Sequence, residues 1–205
     1  MISKPNSQTL PWLGLATISV AALLLAWFSP EERTLGPGIK IVYIHVAFIW
    51  SGMLGLTLSG ALGLLVLLTD NRRLQGWSRS IGWVALAFFT VGLALSLLAS
   101  QINWGAVFWH EPRMVAALKF LVVALLIFSA NLWIPWHRLQ GLLHALLATY
   151  LMWSILGTPL VLHPQSPIRA SESLTIQLTF LGMFVLCCLA AAIVIWFFRR
   201  KEVVI

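Results

Sequence analysis

The chain has 205 residues, of which 60% are hydrophobic and only 9% charged. A water-soluble domain of this length carries about 25% charged residues, so this composition excludes an ordinary soluble globular protein and points to a bilayer. The formal charge of +7 does not indicate nucleic-acid binding, because the basic residues fall in short clusters between apolar runs and form no continuous stripe.

A membrane-crossing helix needs about 20 mostly apolar residues. Six stretches meet that length: Leu10–Phe28, Ile41–Leu68, Trp77–Ser100, Met114–Trp133, Leu139–Leu160 and Leu174–Phe198. The expected fold is therefore all-α, a single polytopic membrane domain over residues 1–205. The first run resembles a signal peptide in following Lys4. It is long enough to span, however, and Ala26-Trp27-Phe28-Ser29-Pro30 offers no small-x-small cleavage site, so it is read as a helix. Short polar punctuation separates the runs, and no internal repeat is evident.

Along the second helix Ser51, Gly55, Ser59 and Gly63 recur every four residues and so share one face. Small residues there let a neighbouring helix come close, which is how helices associate inside lipid. Cys187 and Cys188 are adjacent within the last apolar run. No CxxC or CxxCH spacing accompanies them, so neither a disulfide framework nor a covalent haem attachment is expected.

Alternating the helices places Lys4, Arg72, Arg73, Arg79, Arg138, Arg199, Arg200 and Lys201 on one side, and Arg33, Lys40, Arg113 and Arg169 on the other. The richer side is the cytoplasm by the positive-inside rule, which puts both termini there. Lys119 lies within the fourth helix, where its long stem can snorkel towards the outer surface.

This topology gathers polar and aromatic residues on the outer face. His45 opens the second helix. The segment Asn103-Trp104-Gly105-Ala106-Val107-Phe108-Trp109-His110-Glu111-Pro112-Arg113 joins the third and fourth, and His163 lies between the fifth and sixth. Imidazole suits iron, copper and zinc. Zinc normally wants four ligands, and no thiolate lies on this face. Haem wants only two axial ligands, which two histidines from separate elements could supply. Flat aromatics could then cover the ring, and Lys40, Arg113 or Arg169 could pair the propionates. The alternative is a plain interfacial aromatic belt, and spacing alone leaves both open. His144, inside the fifth helix and seven residues after His137, is read as a packing residue bonded to a neighbouring helix. His137, beside Arg138, is read as solvated.

At these residues the sequence resembles the haem-handling proteins of cytochrome c biogenesis, the CcmC-type haem exporter protein C family. Those proteins carry a tryptophan-rich outer loop, W-G-x-x-W-x-W-D, flanked by one histidine on each side. Trp104 and Gly105 fall on the opening W-G, Phe108 and His110 on the later tryptophan positions and Glu111 on the aspartate. Trp109 adds a further aromatic, and Arg113 matches an arginine that often follows. His45-Val46, followed by Trp50, resembles the motif H-V-P-x-x-W with Ala47 at the proline; His163 falls where the family has its second histidine, in a similar Leu-His-Pro context.

The resemblance implies a non-enzymatic carrier of the bacterial cytoplasmic (inner) membrane. It would hold haem b transiently between His45 and His163 on the periplasmic face and hand it to a membrane-anchored haem chaperone, with an ABC transporter complex as a possible partner. The chain has no Walker motif of its own. A b-type electron-transfer subunit and a haem-free permease subunit are the competing readings.

Overall fold

The computed structural model describes residues 9–158 and 172–203. Those residues form six helices and no strand: α1 (Thr9–Trp27), α2 (Ile39–Thr69), α3 (Arg72–Trp104), α4 (Pro112–Ala130), α5 (His137–Leu156) and α6 (Leu174–Val203). Five of them, all but α5, are long and apolar enough to cross a membrane. The apolar pattern of α5 is broken by His137, Arg138, Gln140, His144 and Tyr150, so the sixth expected span is not established on hydropathy.

The boundaries move from the sequence expectation in physically intelligible ways. Helix α3 begins five residues earlier than its apolar run, because the Asn71 side chain accepts from the backbone N–H of Arg73 (2.9 Å) and Leu74 (3.3 Å) and caps a polar first turn. It ends at Gly105, whose φ of 70° is the left-handed conformation that closes a helix without a Cβ penalty. Helix α4 stops three residues short of Trp133, turning at Asn131 ahead of Pro135.

Consecutive helices run antiparallel. At one end Asp70, at the C-terminus of α2, faces His137 (Nδ1–Oδ1 3.9 Å) and Arg138 (Nε–Oδ2 3.9 Å) at the start of α5. His137 thus has a carboxylate beside it, where solvent alone was expected. The Arg199 guanidinium of α6 lies over the Trp77 ring of α3, 5.3 Å from its centroid, at the same end. Trp12 of α1 meets Phe197 of α6 there, edge to face. At the opposite end Lys40 Nζ donates to the carbonyl of Trp27 (3.0 Å), tying the start of α2 to the end of α1. The loop between them is pinned by Glu32, whose carboxylate accepts from the backbone N–H of Thr34 (2.8 Å) and Leu35 (3.1 Å). The Thr34 hydroxyl bond is the main reason this carboxyl sits below its ordinary pKa.

Helix α2 is the hub of the bundle, and small residues put it there. A Cβ built on Gly52 would fall 2.6 Å from the Phe89 backbone nitrogen of α3, and one on Gly55 would meet Ala85 at 2.6 Å. On the other flank a Cβ on Gly63 would sit 2.6 Å from the carbonyl of Gly141 in α5; the reciprocal Cβ on Gly141 would sit 2.5 Å from the Gly63 carbonyl. Backbones this close maximise dispersion contact. The expected small-residue stripe thus serves both neighbours.

A buried polar seam crosses the same contacts. Ser59 Oγ donates to the Ser78 carbonyl (2.7 Å) and Ser78 Oγ to the Ser59 carbonyl (2.8 Å), stapling α2 to α3. His144 of α5, only 2% exposed, brings Nδ1 to 2.7 Å from Ser78 Oγ and 3.3 Å from Ser59 Oγ. With both hydroxyl protons committed to carbonyls, the imidazole must be the donor, which assigns the proton to Nδ1. Phe128 of α4 stacks on the same ring, centroids 4.9 Å apart. One helical turn away Gln75 Nε2 donates to Gln140 Oε1, and Gln140 Nε2 donates to the carbonyls of Asn131 (3.1 Å) and Ile134 (2.6 Å).

The outward surface is apolar in compensation. Trp133 is 87% exposed and Trp153 74%, and the apolar faces of α1, α4 and α6 are largely uncovered. Continuous apolar surface of this kind is untenable in water and is compatible with a membrane protein.

Removing the Ser78 hydroxyl leaves the buried imidazole donor only the longer contact to Ser59 Oγ. Ser78→Ala should lower unfolding stability in detergent by about 1–3 kcal/mol, and Ser59→Ala combined with it by more. Thr149→Ala, which loses only a bond to its own helix, should change little. Denaturant titration followed by circular dichroism reads all three.

Candidate functional site: the loop end of the bundle

The end of the bundle carrying the α3–α4 connection is assembled from the start of α2, the end of α3, the start of α4 and the end of α5. Asn103 fixes it. Its Nδ2 donates to the carbonyls of Ala99 (2.8 Å) in its own helix and Gly38 (3.2 Å) just before α2. The contact needs a glycine, since a Cβ on Gly38 would overlap Asn103 Oδ1. In the sequence Asn103 is only part of the loop segment; its bridging role has no signal beyond an amide immediately before a Trp-Gly pair.

The loop is short and locally bonded. Gly105 N–H donates to the Gln101 carbonyl (3.0 Å), Gln101 Nε2 donates back to the Gly105 carbonyl (3.1 Å), and Ser100 Oγ donates to the Ala106 carbonyl (2.7 Å). Two further turns, Trp109 N–H to Val107 and Glu111 N–H to Phe108, both 3.1 Å, deliver the chain to Pro112 at the first turn of α4. Proline suits that position because its missing N–H is not needed there.

On this frame Trp104 and Phe108 meet edge to face, centroids 6.2 Å apart. Trp109 is 54% exposed, His110 is also exposed, and Glu111 is buried at the N-cap of α4 without a side-chain capping bond. The aromatic side chains therefore form a half-covered surface at the end of the bundle.

His45 lies in the second turn of α2 at the same end, half-buried, with Nδ1 3.4 Å from the carbonyl of Ile41 one turn back. In the tautomer protonated at Nδ1 the ring donates to this carbonyl and carries its basic lone pair on Nε2, the orientation a metal-ligating histidine uses. His163 and Arg169 lie outside the described residues.

The cations expected around the propionates divide. Lys40 is engaged with the Trp27 carbonyl and lies over the Trp27 ring, 5.6 Å from its centroid. It therefore serves the α1–α2 junction. Arg113 Nε donates to the Thr158 carbonyl (3.2 Å), closing α4 onto the end of α5. No further bond from its guanidinium occurs among the described residues. His144 holds its Nδ1 in the polar seam, and its ring is 2% exposed and stacked on Phe128, which leaves no room for a porphyrin beside it. Among the described residues no group of three or more His, Cys, Asp and Glu side chains gathers. Compared with known proteins, the chain matches no family model and no curated protein.

The loop geometry makes one position decisive. A side chain at 105 would have open space around it but a strained backbone. Gly105→Ala should therefore cost about 1 kcal/mol, and Gly105→Asn less, because asparagine tolerates the left-handed region. Comparing the detergent unfolding midpoints of the two variants with the parent tests it.

Proposed function

We propose that this chain is a haem carrier of cytochrome c assembly. It would span the bacterial cytoplasmic membrane six times with both termini in the cytoplasm, and present haem b on the outer face. Haem is its cargo, held without covalent attachment and passed to a membrane-anchored haem chaperone; an ABC transporter complex is the expected energy-coupling partner. The observation that carries the reading is His45: a half-buried imidazole in the second turn of α2, its Nδ1 3.4 Å from the Ile41 carbonyl, in the half of the bundle that ends in the aromatic segment Trp104–Trp109.

In this reading His45 Nε2 takes one axial position of the iron and His163 the other. Trp104, Phe108 and Trp109 cover the macrocycle by stacking, and the Arg113 guanidinium, already oriented by Thr158, offers its outer N–H groups to a propionate. The loop framed by Gly105 holds these groups at the membrane surface, where a ligand can leave. A deep site between helices would retain it. His110 and Glu111 stand at positions where the resembling family has tryptophan and aspartate, and the exposed His110 makes the mouth of this site more polar.

The six-span topology rests on the alternation of helix ends and on charge. Arg72, Arg73, Arg79, Arg138, Arg199 and Arg200 fall at one end and Arg33, Lys40 and Arg113 at the other, the asymmetry that sets orientation in bacterial membranes. Helix α5 would cross with the rest, because Gln140 and His144 are buried against α2 and α3.

The test is the absorption spectrum of the protein purified with haem. His45→Ala and His163→Ala should each shift or weaken the Soret band and lower haem affinity by roughly tenfold or more, with a larger loss in the double variant. Added apo-chaperone should withdraw the haem. Spectra identical to the parent's would refute haem carriage, and haem that stays bound and exchanges electrons with quinone would make the protein an electron-transfer subunit.

A further inference from the structure

Beyond this reading, the outer halves of α4 and α5 enclose a side cleft of about 490 Å³ lined by His110, Val115, Lys119, Tyr150, Trp153 and Ser154, among others. It adjoins a second hollow of about 210 Å³ that contains Arg113 and shares Ala116, Ser154 and Thr158 with it. The volume is that of a small-molecule site. Its walls are mostly apolar, and the exposed Trp153 ring places it on the lateral surface of the bundle.

Lys119 is the anomaly. It lies two turns inside α4, about 10 Å from Pro112 along the axis, on a helix apolar enough to span a membrane. Among the described residues no carboxylate is within ion-pair distance of it. Glu111, the nearest acidic residue in sequence, does not line the cleft. Helical side chains lean towards the N-terminus of their helix, here the loop end, so the stem carries the ammonium up towards the level of His110 and Arg113. An unpaired cation inside an apolar helix is costly unless an anion meets it. The other polar side chains lining the cleft are an imidazole and hydroxyls: His110, Tyr150, Ser154 and Thr158.

We propose that the α4–α5 cleft binds an anionic phospholipid. The phosphate would lie between Lys119 and His110 at the rim, and one acyl chain would run down the apolar wall beside Val115 and Trp153. The charge balance selects an anionic headgroup over a zwitterionic one, and the lateral opening selects an amphiphile already in the bilayer over a water-borne anion.

Native mass spectrometry of the whole protein in detergent tests this with dioleoyl phosphatidylglycerol, dioleoyl phosphatidylcholine and haem as separate probes. The parent should retain phosphatidylglycerol in preference to phosphatidylcholine. Lys119→Gln should weaken that binding roughly tenfold, and Lys119→Arg should preserve it. Ala116→Phe, which keeps the charge but fills the space, should also abolish it and serves if Lys119→Gln fails to fold. Equal retention of both lipids, or unchanged phosphatidylglycerol binding in Lys119→Gln and Ala116→Phe, overturns the proposal. Haem displacing the lipid in a Lys119-dependent way also overturns it, by making the cleft a porphyrin site.

Discussion

The close approach of α2 to α3 and α5 is the constraint on which the rest depends. Glycines at 52, 55, 60 and 63 bring the backbones so near that any Cβ would collide, and the hydroxyls of Ser59 and Ser78 cross-link the two longest helices through each other's carbonyls. His144 completes the joint by donating from α5. In water such a joint would compete with solvent; in an apolar surround the alternative is an unsatisfied polar group, so the bonds specify which helix faces which. The order of helices at the loop end, and hence the contacts of Asn103 with Gly38 and of Arg113 with Thr158, follows from that register.

The bundle is inverted relative to a soluble protein. Its interior is small and polar where α2, α3 and α5 meet, and its exterior carries leucine, valine and tryptophan. The few charges are used at the ends: Asp70 beside His137 and Arg138, Arg199 on Trp77, Lys40 on the Trp27 carbonyl. Each holds two helix ends together. Lys119 breaks this economy, being neither at an end nor paired within the described residues, and for that reason it marks a place where the surrounding lipid is part of the structure.

Much of this was legible in the sequence. Helix positions followed from the lengths of apolar runs, and the spacing of Ser51, Gly55, Ser59 and Gly63 announced a packing face. Helix size alone, however, did not show that Ser59 would also bond, because a serine in a small-residue stripe reads the same whether its hydroxyl is used or idle. Gln75 and Gln140 went unmarked, although Gln75–Ser78 and Gln140–His144 are three and four residues apart, the spacing that puts polar pairs on one helix face. The polar first turn of α3 hid its true start. The loop residues were recognisable by type, but the engagement of Lys40 with a main-chain carbonyl depends on tertiary geometry that no local pattern encodes.

The central claim is that one end of this bundle, carrying the aromatic loop and His45, faces the periplasm while the arginine-rich end faces the cytoplasm. It is tested most directly by single cysteines at positions 109 and 72, introduced into a chain with Cys187 and Cys188 replaced by serine. These are exposed to a membrane-impermeant maleimide in cells whose outer barrier is permeabilised and whose inner membrane is intact. Position 109 should label in intact cells and position 72 only after lysis. Labelling of both from the same side, or of position 72 first, would contradict the account.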